Sequence, residues 1–170
     1  AFAKAAPRRI IPTVRIKGRG YHRGPRNKFF DRLEGQLGSD PFGAMAEVHV
    51  WHDSDGGKYH EIRIDFDDEL FLAAFDAAKG KDWPLIVHME FAALSFIGKR
   101  DYMDKLETFL RSNQDHPVVM IHMAQLEEPD VRRLLAAHSN LHFMTSHASP
   151  FYQSGGKPFI NMVNDGKFKP

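Results

Sequence analysis

The chain has 170 residues, 42% of them hydrophobic and 26% charged, which suits one domain with its own core and excludes a disordered segment. It contains no Cys, which excludes a disulfide scaffold and any thiolate-ligated metal, and it has no apolar run of the roughly 18 residues that a membrane span needs. The net charge of +1 conceals an asymmetry, because residues 1–30 carry nine Lys and Arg and no acid, leaving 14 basic against 22 acidic residues in the remainder. A basic head of this kind reads as a local anion site or as solvated surface. No aromatic-interleaved basic stripe accompanies it, so nucleic acid is not the expected partner.

In chain order, Ile10, Ile11, Val14 and Ile16 predict a short strand over 10–16 that tolerates Pro12. Residues 17–28 form a loop rich in Gly and Arg. Phe29, Phe30, Leu33 and Leu37 stand at helical spacing and predict a helix over 28–37, stopped by the Gly38 to Pro41 run. Val48 and Val50 alternate with Glu47 and His49 in a strand over 44–50 that ends at Trp51 and His52. Ile62, Ile64 and Phe66 alternate with Arg63 and Asp65, an extended segment or an extra strand over 61–66. Asp67 or Asp68 then caps a helix through Lys79, with Gly80 at its end.

Residues 84–88 make a continuous apolar strand ending in His88, and a helix over about 101–112 follows with Tyr102, Leu106, Phe109 and Leu110 on one face. The strand pattern returns over 117–122 and ends in His122. A helix over about 129–138 opens on Pro129, and a last strand covers 141–146. The tail, 150–170, is rich in Gly, Pro and Lys, with one helix-like turn near residues 160–163. Glu47 to His88 spans 41 positions, His88 to His122 spans 34 and His122 to Ser146 spans 24, the lengths of crossover units. The fold class expected is therefore α/β with parallel strands in a single domain.

Parallel α/β proteins bind ligands at the carboxyl ends of their strands. Three successive strands bring Glu47, His88 and His122 to one rim, with His49 on the face of Glu47. Neutral imidazole and carboxylate suit zinc or a similar divalent metal, which would make hydroxide available near neutral pH. The alternative is that each strand-end His is simply a hydrogen-bonded polar residue. His52, His60, His116 and His138 are expected in solvated loops or helix ends. His142 reads as a core or helix-facing residue, and His147 as a rim residue able to touch substrate. Met89, Met120, Met123 and Met144 read as packing. Arg15, Arg19, Arg23 and Arg26 are candidates to hold a carboxylate or phosphate, or else lie in a solvated loop. The expected partner is a small molecule, anionic if those arginines serve. A homo-oligomer is left open, and a cytoplasmic location is favoured.

The segments RIIPTVRI (9–16), AMAEVHVWH (44–52), PLIVHME (84–90), HPVVMIHMAQL (116–126) and NLHFMTSHASP (140–150) together resemble the amidohydrolase superfamily, within it the amidohydrolase-related metal-dependent (β/α)8 barrels. The resemblance implies a partial TIM barrel, with these segments similar to barrel strands three to seven. It implies that His88 binds metal and that His122 ligates a second metal or orients the water. Glu47 stands where some members bridge metals. Arg15, His49 and His147 would contact substrate. The implied activity is hydrolysis of an amide, ester or lactone, or a non-oxidative decarboxylation. Alternatives are a metal-dependent deoxyribonuclease of the same superfamily and a non-catalytic barrel module. The family's paired strand-one histidines and strand-eight aspartate have no counterpart here. The domain is therefore expected to be incomplete at both ends, roughly 80 residues short of a barrel of about 250, and inactive alone.

Overall fold

The computed structural model describes residues 5–6, 9–16, 21, 24–39, 42–54 and 56–146. Among these, strands β1 (Thr13–Arg15), β2 (Ala44–His52), β3 (Ile62–Arg63), β4 (Leu85–Met89), β5 (Val118–Met120) and β6 (Leu141–Phe143) form one sheet. Four helices accompany them among the described residues: α1 (Asn27–Leu37), α2 (Glu69–Gly80), α3 (Phe96–Ser112) and α4 (Glu128–Ala137). The strand order is β1-β2-β4-β5-β6 with every neighbouring pair parallel, and β3 runs antiparallel beside β2. The order advances one way, without the reversal of a doubly wound sheet. Among the described residues β1 and β6 each have a single strand neighbour, so the described sheet is open.

The strands are parallel because each return is made through a helix or a long crossing segment. One face of the central strands is fully covered, with Leu85, Val87, Val118 and Met120 buried, whereas Ile86 and Val119, which alternate to the other face, are only partly buried. Helix α2 begins where Asp68 accepts a hydrogen bond from the Leu70 N–H at 2.9 Å and turns Leu70, Phe71, Ala74, Phe75 and Ala78 inward. Its rings meet those of α3, with Phe109 5.1 Å from Phe71 and 5.0 Å from Phe75 between centroids. Asn140 Nδ2 donates to the carbonyls of Asn113, at 2.8 Å, and Leu110, at 3.2 Å, and so ties the end of α3 to the start of β6.

Several boundaries differ from the sequence expectation. Helix α3 starts five residues early, at Phe96, where Ser95 caps the Gly98 N–H at 3.2 Å. Its first turn points Phe96 and Ile97 to solvent, which hides it from any apolar periodicity. Strand β1 is shorter than 10–16 because Ile10 and Ile11 lie on the surface. Strand β6 stops at Phe143, before 146. Strand β5 stops at Met120, and His122 lies two residues beyond it, in a left-handed turn where His122, Met123, Ala124 and Gln125 all have φ between 52° and 54°. His122 therefore follows its strand and does not end it.

His116 and His138, expected in solvent, are buried. His116 packs edge-on against Phe75 at 5.2 Å, and His138 Nε2 lies 3.5 Å from Glu107. His142 is exposed, because alternation in β6 turns Leu141 inward. Met89, Met120 and Met123 pack in the core as expected, whereas Met144 is partly exposed.

Candidate metal centre

The site grows from the register of two central strands. His49 of β2 and His88 of β4 are paired across the ladder, and their ring centroids are 4.6 Å apart. Both are buried. The period of two along β2 places Glu47 with His49: Glu47 Oε1 lies 2.9 Å from His88 Nδ1 and 3.7 Å from His49 Nε2. Glu47, His49 and His88 each offer one ligand atom, and all three atoms lie within 4.8 Å of one another.

The opposite edge of the His88 ring meets a second carboxylate, with Nε2 3.0 Å from Glu90 Oε1. Burial disfavours a charge on His88, but the hydrogen bonds with Glu47 and Glu90 outweigh it and hold the imidazole pKa above its ordinary value. Burial likewise opposes ionisation of Glu90. Hydrogen bonds from His88 and from the Asp53 N–H reverse that effect and lower its pKa. The His88 ring thus lies between two carboxylates that hydrogen-bond its two nitrogens, and a metal cation is the natural competitor for the ring protons.

His122 reaches the cluster from the turn after β5. Its ring stands at 85° to that of His88, with centroids 5.3 Å apart. His122 Nδ1 lies 3.1 Å from the Ser146 carbonyl and 3.0 Å from Ser146 Oγ. A carbonyl can only accept, so this contact assigns a proton to Nδ1. The backbone beneath is fixed by the Met123 N–H, which donates to the Met144 carbonyl at 3.1 Å. On the far side, the Tyr21 hydroxyl donates to the His49 carbonyl. Burial, with Asp68 nearby, pushes the Tyr21 pKa far above its ordinary value, so the hydroxyl stays a neutral donor.

The structure therefore brings Glu47, His49, His88 and His122 together. It does not bring Arg15 to them: that residue is exposed at the end of β1, and its backbone exchanges two 2.8 Å hydrogen bonds with the Gln36 side chain. Arg26 is engaged elsewhere, forming a fork on Asp68 at 2.9 and 3.1 Å and reaching Glu69 at 3.0 Å. His147, Arg19, Arg23 and the tail fall outside the described residues.

Two cluster members do not follow from the sequence reading. Glu90 sits two positions after His88 and obeys the same alternation. His52, expected in solvent, is only half-buried, but its ring stacks on those of His49, at 5.4 Å, and His88, at 5.1 Å. A register shift between His49 and Trp51 carries it there. A separate cavity of about 400 Å³ against α3, between Phe66, Asp101, Lys105 and Asn113, shares no residue with the cluster.

Fold and site together define an α/β chain with a parallel sheet and a Glu/His group able to hold a metal ion. Comparison with family models, with curated proteins and with solved structures gave no match.

Proposed function

We propose that the chain carries the metal site of a metal-dependent hydrolase of the amidohydrolase type, built on a (β/α)8 barrel, with zinc or a similar divalent cation held by Glu47, His49 and His88. The observation that carries this reading is the convergence of one carboxylate and two imidazoles, with ligand atoms within 4.8 Å of one another, on adjacent parallel strands. Two nitrogens and one oxygen are the donor set of catalytic zinc sites that keep an open position. The one-way strand order suits an arc of a singly wound barrel, whose chemistry gathers at the carboxyl ends of its strands.

When bound, the cation supplies a Lewis acid and lowers the pKa of water in its open position. The His122 ring stands 5.3 Å from the His88 ring, and its Nδ1 is fixed by Ser146. It serves as the group that orients water and takes its proton as the water attacks an amide, ester or lactone carbon. Glu47 and His49 hold their geometry through the β2 backbone, and the Tyr21 hydrogen bond braces that strand at His49.

The test is turnover of a panel of amide, ester and lactone substrates by the protein carrying this sequence, with zinc and with chelator. Chelator-sensitive hydrolysis that disappears in His88→Ala and falls at least about a hundredfold in His122→Asn is the expected result. Equal rates in the wild type and His88→Ala would overturn the reading.

A further inference from the structure

The edge of His88 that faces away from Glu47 carries its own set of donors. Nε2 lies 3.0 Å from Glu90 Oε1, and the His52 ring is stacked on the His88 ring at an interplanar angle of 22°. His52, His88 and Glu90 each offer one ligand atom, again all within 4.8 Å of one another. One residue's backbone aims both outer donors. The Asp53 N–H donates to Glu90 Oε2 at 2.7 Å, which leaves Oε1 toward His88. His52 Nδ1 lies 2.6 Å from the Asp53 carbonyl. That oxygen can only accept, so Nδ1 carries a proton and Nε2 is the nitrogen that can serve as a ligand. A ring N–H on a backbone carbonyl, beside a carboxylate whose spare oxygen is held by a backbone N–H, is the support that metal-binding His and Glu residues receive.

We propose that His52, Glu90 and Nε2 of His88 form a second divalent-cation position, beside the Glu47 position and separate from it. It rests on the reading of the cluster as a metal centre, and it does not depend on the hydrolytic chemistry. Two imidazole nitrogens and one carboxylate oxygen select zinc, cobalt or nickel over magnesium and calcium, which take oxygen ligands. The two positions use opposite nitrogens of one ring. A cation at the second position replaces the Nε2 proton, which passes to solvent. With both positions filled, His88 has lost both ring protons to solvent and bridges as an imidazolate.

The experiment is a zinc titration of the metal-free chain against a chromophoric chelator, repeated with cobalt to read the ligand-field absorption. His52→Ala and Glu90→Gln are expected to remove one zinc equivalent or weaken it at least about tenfold, with the other equivalent retained. Glu47→Gln and His49→Ala are expected to do the converse, and His88→Ala to abolish both. Glu90→Gln keeps the shape of the side chain and an acceptor for Asp53, so it remains folded by circular dichroism while losing the ligand. Zinc binding with wild-type stoichiometry and affinity in both His52→Ala and Glu90→Gln would overturn the proposal, as would a wild-type chain that binds no zinc. If Glu47→Gln and His49→Ala bind zinc normally while His52→Ala and Glu90→Gln do not, the second position stands and the Glu47-centred reading fails.

Discussion

His49 and His88 face each other across the β2–β4 ladder, with ring centroids 4.6 Å apart. Two buried imidazoles at this distance would repel if both were charged, and two carboxylates flank only one of them closely. Glu47 and Glu90 bracket His88 at 2.9 and 3.0 Å. Removing that ring leaves both carboxylates without their hydrogen-bond partner. His88→Ala is therefore expected to destabilise the metal-free chain by about 1–3 kcal/mol, in addition to losing zinc. Urea unfolding without metal checks the first effect separately from the second.

The Arg26–Asp68 contact predicts unequal outcomes for its two partners. Asp68 is the N-cap of α2 and accepts from the Leu70 N–H, whereas the Arg26 side chain is half exposed. Asp68→Ala should cost about 1 kcal/mol or more through the lost cap. Arg26→Ala should cost less, about 0–1 kcal/mol, because solvent screens the ion pair. Thermal unfolding of the two variants side by side is the check, and equal losses would assign the stabilisation to the ion pair.

The turn carrying His122 holds four consecutive non-glycine residues at positive φ. For L-residues this conformation costs roughly 1–2 kcal/mol each. Gln125, at φ 52° and half-buried, is the position where that cost can be removed with least loss of packing. Gln125→Gly is expected to stabilise the chain by about 0.5–1 kcal/mol, the relief being partly offset by the greater entropy of unfolded glycine. A fall in the denaturant midpoint would contradict it.

How much of this was readable in advance depends on period. His88 was legible because β4 is an unbroken apolar run that ends on it, and Glu47 and His49 because β2 alternates around them. Glu90 obeys the same alternation but stands beyond the apolar run, where the period carries no signal. His52 was not legible, because it stands three residues after His49 and regular alternation assigns it the other face. The register shift between His49 and Trp51 reverses that. His122 was legible as a cluster member but not as a turn residue, since the apolar run passes through Ile121 and Met123 although the strand ends at Met120. The first turn of α3 was hidden because Phe96 and Ile97 are apolar and exposed. His116 and His138 were buried by tertiary packing on Phe75 and Glu107, which local pattern does not encode.

Glu107 gives a pH dependence separate from the metal centre. Burial opposes its ionisation, but Arg133 at 2.6 Å, with His138 beside it, outweighs burial and lowers its pKa. A lowered folded-state pKa means that the unfolded chain binds the proton more readily. The stabilisation is therefore complete above the unfolded value of about 4.3 and is lost as pH falls through the folded-state value. Glu107→Gln is expected to cost about 1–2 kcal/mol at neutral pH, with the gap to wild type closing in acid. A gap that stays constant down to the acid end of the titration would remove the ionic explanation.

X-ray absorption at the zinc edge of the zinc-loaded chain reads whether the Glu/His cluster holds a divalent cation. The expected spectrum has a first shell of nitrogen and oxygen at about 2.0–2.1 Å, with the outer scattering of at least two imidazoles, lost in His88→Ala. A zinc spectrum without imidazole scattering, or one unchanged by His88→Ala, would contradict it.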